Sequence, residues 1–512
     1  MTGGPFRIAV IADPHVHDPQ ADFGQGAGQA LRPAADVAKS TRVFNETAAA
    51  FRFALADIMA RGIGHVVLLG DVTDDGQVGA LEALQPVLDH ARAQGLTFWA
   101  VPGNHDVFAD TGRHRSRRLV NPGGGYDLHT SDPDRRDPGA ARVVVTPRMR
   151  CLGVPDGLLP GAGFFRGAHL DWETPFGPDD APEARRHAVR SADGSVERWL
   201  MDASYLVEPV PGVWLMMVDA NVWVPFGRHR PAGEQDDFAD STGAGWSAMP
   251  DHKGFVLRWM TDVAARARHL GKRLLTFSHY PVLDALADSR AAEAALLGLT
   301  PLARRMPGPQ AARAVAETGI GVHVSGHLHL NATTRFQAAG SWLVDIAVPS
   351  LAAFPAAYKI VTLGETTSVD TIAIGGMPMP GGMLYPGRLG GHATYGGFLA
   401  EHAGHLVARR HLRREWPEVL AAAVPGLTLA GMTGGRAGAD IPALTVIEDF
   451  YRLRMGGEFG RDLIPAARQR LYRAAGGVAT WAPLFAMINR DLARLPSRSL
   501  SVDRQTGEVR GR

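Results

Sequence analysis

The chain has 512 residues, 45% of them hydrophobic, and a formal net charge of +1. That length and apolar content support a large buried core, argue against intrinsic disorder, and point to two or more domains or one heavily elaborated domain. The near balance of charge gives no global field toward nucleic acid or anionic membrane, so a polyanionic substrate would need a local site.

From Met1 a short Gly/Pro stretch leads straight into the apolar run Ile8 to Ala12, which is too short for a signal-peptide core. No uninterrupted apolar stretch approaches the length of a bilayer crossing, so the expectation is a soluble, cytoplasmic protein without a membrane partner. Arg7 to Ala12 reads as a buried strand. After a Gly/Ala-rich loop, Ser40 or Thr41 can cap a helix with Phe44, Ala48, Phe51, Leu55 and Ile58 at helical spacing, ended by Gly62 and Gly64. A strand at His65 to Leu69 follows, then a helix around Leu81, Leu84 and Leu88 interrupted by Pro86, then a strand at Leu96 to Val101: a βαβαβ unit.

Residues 108–200 lose this regularity to Gly, Pro, Asp and Arg clusters and read as an elaborated insertion without a core of its own. The only cysteine, Cys151, excludes an intramolecular disulfide. Strands are predicted at Ser204 to Val207 and Val213 to Val218, a helix carrying Val256, Trp259, Met260 and Val263, and strands at Arg273 to Phe277, Val322 to Val324, Trp342 to Ile346 and Tyr358 to Leu363. Beyond Gly364 the character changes to an accessory region, residues 365–512: a loop, then mostly helical patterns such as Ile447, Phe450 and Tyr451. Within it, Met377, Met379 and Met383 among Gly and Pro read as a mobile connector rather than a lid, and Arg409, Arg410, Arg413 and Arg414 as a solvated helix face.

Histidines, carboxylates and an asparagine recur just after predicted strands, where side chains distant in sequence can converge. The five places are Asp13-Pro14-His15, Gly70-Asp71-Val72-Thr73-Asp74, Gly103-Asn104-His105-Asp106, Ser278-His279-Tyr280-Pro281 and Gly326-His327-Leu328-His329. Imidazole nitrogen and carboxylate oxygen suit Mn, Fe or Zn ions, and the lack of thiolates argues against a structural zinc site. His17, two residues past His15, shares its face only if the strand persists, and is not taken as a further ligand.

In this order the five blocks resemble the signature of the calcineurin-like metallophosphoesterase superfamily, over roughly Phe6 to Leu363. The resemblance implies an α/β fold, a four-layer αββα sandwich of two mixed sheets flanked by helices, within a catalytic domain of residues 1–364. It implies two divalent metal ions, with Asp13, His15 and His329 on one, Asn104, His279 and His327 on the other, and Asp71 bridging. Two cations so placed, about 3.5–4 Å apart, acidify a coordinated water for in-line attack on phosphorus. By the same resemblance His105 assists the leaving group, with Asp74 orienting it and keeping it basic.

Protein Ser/Thr phosphatases have an arginine where Asp75 stands, and purple acid phosphatases a metal-bound tyrosine where Asp74 stands. The run Gly70 to Gly76 is more similar to bacterial class III cyclic nucleotide phosphodiesterases and glycerophosphodiesterase relatives, which implies a small-molecule phosphodiester as substrate. A phosphomonoesterase is the alternative. A nuclease would need a basic or aromatic channel that the mixed-charge insertion does not offer, and a non-catalytic binding module would have lost ligands, of which none is missing. Self-association into a homo-oligomer is left open.

Overall fold

The computed structural model describes residues 5–26, 28–229, 236–338, 340–381, 385–435, 438–476 and 478–512. The apolar runs become strands of two seven-stranded sheets. In the first, Phe6–Ile11, His65–Leu68 and Thr97–Ala100 run parallel as neighbours, and Ala357–Leu363 and Thr366–Ala373 continue it antiparallel from Phe6–Ile11. In the second, Val213–Val218, Arg273–Ser278, Val322–Ser325 and Ser341–Ala347 form a parallel centre.

Strand geometry sends alternate side chains to opposite faces, and here both faces are buried. Val213, Leu215 and Met217 join a core shared with the first sheet and the helix Thr47–Ala60, whereas Trp214, Met216 and Val218 pack with the helices Gly254–His269 and Pro309–Glu317. The architecture is thus the expected mixed α/β fold of two large sheets and flanking helices. Both central parallel sets end on one side of the sandwich, where the candidate ligands follow them.

Three local expectations change. The helix Val78–Ala93 runs through Pro86 without a break, held by the burial of Leu84 and Leu88 on either side. Ser40 does not cap the next helix: its Oγ accepts from Arg42 N in a turn, and the helix starts only at Thr47. The first sheet does not stop near Gly364, because Thr366–Ala373 hairpins back along Ala357–Leu363 and the terminal strands Ser499–Asp503 and Val509–Gly511 extend it further.

Residues 108–200 hold a three-stranded and a two-stranded sheet, and contribute Trp172–Glu173 to an edge of the second large sheet. The rest of the C-terminal region is helical. The helices Ala443–Gly456 and Ala482–Leu492 place Val446, Ile447, Phe450, Leu484 and Ile488 in a third core that also takes Leu296 and Leu297 from the helix Arg290–Leu297. The connector before them is anchored: Met377 is buried in the first core and Met379 packs against it, while Met383 lies outside the described residues. No helix among the described residues is long and apolar enough to cross a membrane.

Candidate metal centre and active site

Each strand end delivers its ligand through a tight turn. Among the described residues six non-glycines have positive φ, and five of them are Asp13, His15, Asp71, His327 and His329, at 43° to 67°. Such backbone is uncommon outside glycine and concentrates at functional sites. At Gly326 an added Cβ would lie 2.6 Å from Asp13 Oδ2, and at Gly70, where φ is +80°, 2.5 Å from His279 Nδ1. Glycine there allows the backbone to press against the ligands.

The turns bring the candidates into two adjoining buried clusters, Asp13, His15 and His329 in one and Asp71, His279 and His327 in the other, each with ligand atoms within 4.8 Å of one another. In the first, His15 Nε2 is 3.2 Å from His329 Nε2, and His329 Nε2 is 3.4 Å from Asp13 Oδ1. In the second, His279 Nε2 is 3.2 Å from both His327 Nδ1 and Asn104 Oδ1, which adds Asn104 to the set. Asp71 Oδ2 stands between them, 3.7 Å from His15 Nε2 and 3.4 Å from His279 Nε2.

Hydrogen bonds around the second cluster aim its lone pairs inward. His279 Nδ1 donates to Leu69 O (2.9 Å), freeing Nε2; His327 Nε2 donates to Thr242 O (3.0 Å), freeing Nδ1; Asn104 Nδ2 donates to Thr242 Oγ1 (3.1 Å), turning Oδ1 to the centre. Asp13 Oδ2 accepts from His327 N at 2.8 Å, but its buried Oδ1 has no hydrogen-bond partner among the described residues. A buried carboxylate oxygen facing imidazole nitrogens calls for a cation. The field agrees: burial disfavours the His279 imidazolium, yet Asp71 and Asp13 outweigh it and lift its pKa to about 9. The donors therefore fit two divalent ions.

His105 faces the same space, its ring 5.1 Å from that of His15. Its partner is Asp75, not Asp74 as the sequence reading had it: His105 Nδ1 donates to Asp75 Oδ1 at 2.6 Å. Nor is the ring kept basic, because burial and the Arg42 guanidinium, 3.3 Å from Nε2, hold it at about 4. Asp74 instead accepts from Arg32 (3.0 Å), Arg42 (3.0 Å) and Arg117 (3.1 Å). Burial opposes its charge, but these arginines hold its carboxyl well below the ordinary range. His17 points away, its Nε2 donating to Ala30 O at 2.6 Å and its ring stacked on Phe23.

The sequence reading assigned no role to Arg42, Thr242 or Asp106. Asp106 accepts from Val72 N (2.7 Å) and Gly103 N (2.9 Å), tying together the loops that carry Asp71 and Asn104. Its place in the Gly-Asn-His-Asp block was a usable signal. Arg42 comes from a turn and Thr242 from the single 3-10 turn Ser241–Gly243, and neither carried one.

A family model described as calcineurin-like phosphoesterase matches residues 6–331. The chain belongs to the calcineurin-like phosphoesterase family. Solved structures similar to it include a dimetal phosphatase from Danio rerio (14% identity, 72% of this chain and 96% of that one, TM-score 0.37). A putative 5′-nucleotidase from Staphylococcus aureus is also similar (12%, 72% and 54%, TM-score 0.32), as is a purple acid phosphatase from yellow lupin, Lupinus luteus (9%, 75% and 53%, TM-score 0.32). The chain spans about half the length of the last two. No curated protein matches the sequence.

As a member of this family the chain is a hydrolase of phosphoesters. The two clusters open into a cavity of about 330 Å³. Its floor is His15, Asp71, His327 and His329, and Arg42 and His105 stand at its side. The C-terminal helical region adds Leu406, Arg410 and Tyr451 to its lining as a partial roof.

Proposed function

We propose that this chain is a binuclear metal-dependent phosphoesterase acting on small molecules. Asp13, His15 and His329 hold one divalent ion, Asn104, His279 and His327 a second, and Asp71 is shared. The observation that carries the reading is the position of Asp71 Oδ2 within 3.7 Å of a donor nitrogen of each cluster. Two divalent ions bound there, of Mn, Fe or Zn, supply Lewis acidity toward the phosphoryl oxygens and the attacking water.

The rest is the work of side chains. Arg42 presents its guanidinium beside His105, where it stabilises charge on the non-bridging oxygens of phosphorus; Asp74 clamps it in place, acting as a positioning residue. His105, its Nδ1–H held by Asp75, keeps an unprotonated Nε2 against Arg42, so it positions that guanidinium rather than protonating the leaving oxygen. The cavity, lined in part by the C-terminal helices, has room for a small molecule.

A diester is the first choice of substrate, on the resemblance of the Gly70-to-Gly76 run to the cyclic nucleotide and glycerophosphodiester enzymes. A monoester is favoured by Arg42, since a dianionic phosphoryl group offers one more charged oxygen to a guanidinium. Matched esters decide between them: kcat/KM for bis(4-nitrophenyl) phosphate and 4-nitrophenyl phosphate, with metal-stripped protein resupplied with Mn²⁺. Asp71→Ala should lower bound metal from two ions per chain and reduce turnover at least a thousandfold. Full metal content and persistent turnover in that variant would overturn the binuclear assignment.

A further inference from the structure

Arg410 sits in a single π-helical turn, Val407–His411, that follows the helix Tyr395–Leu406. Such turns interrupt regular helices mostly where a side chain is needed in a particular place. Arg409, Arg413 and Arg414 remain exposed, as a solvated face would be, but Arg410 is half-buried and lines the same cavity as the ligand clusters. Its Nη1 donates to Lys39 O at 3.0 Å, which fixes the guanidinium. Arg305, just after the short helix Pro301–Arg304, lines the same cavity from the catalytic side.

These two cations differ from the other arginines around the site. Arg42 is paired with Asp74 at 3.0 Å and Arg454 with Glu293 at 3.0 Å. Among the described residues no carboxylate lies within ion-pairing distance of Arg305 or Arg410. Glu415, close to Arg410 in sequence, is already engaged: one oxygen accepts from His411 Nδ1 (2.8 Å) and the other from the Tyr451 hydroxyl (2.7 Å). Burial pulls the pKa of both guanidinium groups down, and Arg305 adds to the effect at Arg410. Two half-buried or buried guanidinium groups thus line one cavity without a direct carboxylate partner.

We propose that Arg305 and Arg410 form an anion subsite for a second acidic group on the substrate, so that the preferred phosphoester carries a carboxylate or a further phosphate in addition to the phosphoryl group at the metal ligands. This rests on the phosphoesterase reading for which end of the substrate lies at the floor. Leu302, Phe354 and Leu406 give the cavity apolar lining as well, and its volume of about 330 Å³ suits one small molecule. The C-terminal region thereby supplies specificity as well as a cover.

Calorimetric titration of the full-length, Mn²⁺-loaded protein with three probes on one carbon skeleton tests this: glycerol 3-phosphate, 3-phosphoglycerate, which adds a carboxylate, and glycerol 1,3-bisphosphate, which adds a phosphate. At least one of the charged probes should bind tenfold or more tightly than glycerol 3-phosphate, and which one identifies the acidic group. In Arg305→Gln/Arg410→Gln that ratio should fall below twofold, and in Arg410→Lys it should be partly kept. Arg410→Glu, a substitution at a half-exposed position, should lower it further and serves if the double variant does not fold. Equal binding of the three probes by the native protein, or a ratio unchanged in the variants, would overturn the subsite. Normal discrimination in a protein that turns over no ester would leave the subsite standing and sink the phosphoesterase reading.

Discussion

At Asp13, His15, Asp71, His327 and His329 the backbone sits in the left-handed region, which costs a residue bearing Cβ about 1–2 kcal/mol relative to right-handed conformations. The chain accepts this five times within one site, and the gain is that short loops can throw side chains sharply inward from strand ends. His329 makes the cost measurable, since φ there is 56°. Substituting it with Gly or Ala removes the imidazole in either case, but only Gly relieves the backbone. In metal-free protein His329→Gly should therefore be more stable than His329→Ala by about 1 kcal/mol in urea unfolding, the reverse of the order in a regular strand or helix. If Ala were the more stable, the strain would not be real.

Glu46, directly before the helix Thr47–Ala60, is buried, and the hydroxyl of Tyr385 donates to its Oε1 at 2.6 Å while Oε2 has no partner among the described residues. Burial raises its pKa from 4.5 to about 7, against the opposing pull of that hydrogen bond. Between those two values the folded state binds the proton and the unfolded state does not, so stability falls as pH rises through this window. A shift of that size corresponds to about 3 kcal/mol. Glu46→Gln should match the native protein near pH 4.5 and be more stable than it at pH 8; parallel profiles of Tm against pH would exclude Glu46 as the source. The element also shows what sequence can and cannot reveal. Strands such as Phe6–Ile11 and Val213–Val218 were legible because both faces are apolar, and the candidate ligands stood out because they follow such strands. Ser40 looked like a helix cap because it does bond a nearby N–H, but the turn it makes serves to carry Arg42 to His105. Asp74 and Asp75 are adjacent, and only side-chain packing decides that Asp75 takes His105 while Asp74 gathers three arginines. The terminal strand Ser499–Asp503 was missed because five residues of alternating pattern carry little signal until a sheet edge is there to receive them.

Across the whole molecule, the C-terminal helices and the catalytic sheets are joined by buried polar contacts as well as by shared core. Lys359 Nζ, in the first sheet, donates to Ser497 O at 2.7 Å, and Arg490 Nη2 donates to Ala285 O at 2.7 Å. The most enclosed link is the ion pair of Arg454, in Ala443–Gly456, with Glu293, in Arg290–Leu297: 3.0 Å apart, each side chain 2% exposed. The guanidinium lies over Phe450 and the other carboxylate oxygen accepts from Thr300 Oγ1 at 2.5 Å, so both charges are almost wholly withdrawn from solvent. Removing one partner of such a pair costs about 3–5 kcal/mol because the other stays buried and charged, whereas replacing both with apolar groups of similar volume is often neutral. Arg454→Met should accordingly lower the urea midpoint sharply, and adding Glu293→Met should recover most of the loss. Since Arg454 also lines the cavity beside the ligand clusters, the single variant should raise KM while the roof is loosened, with the double variant returning toward the native value. Equal losses in the single and double variants would mean that the roof is held by the apolar third core alone, through Leu296, Leu297 and Phe450, and that the ion pair contributes register rather than stability.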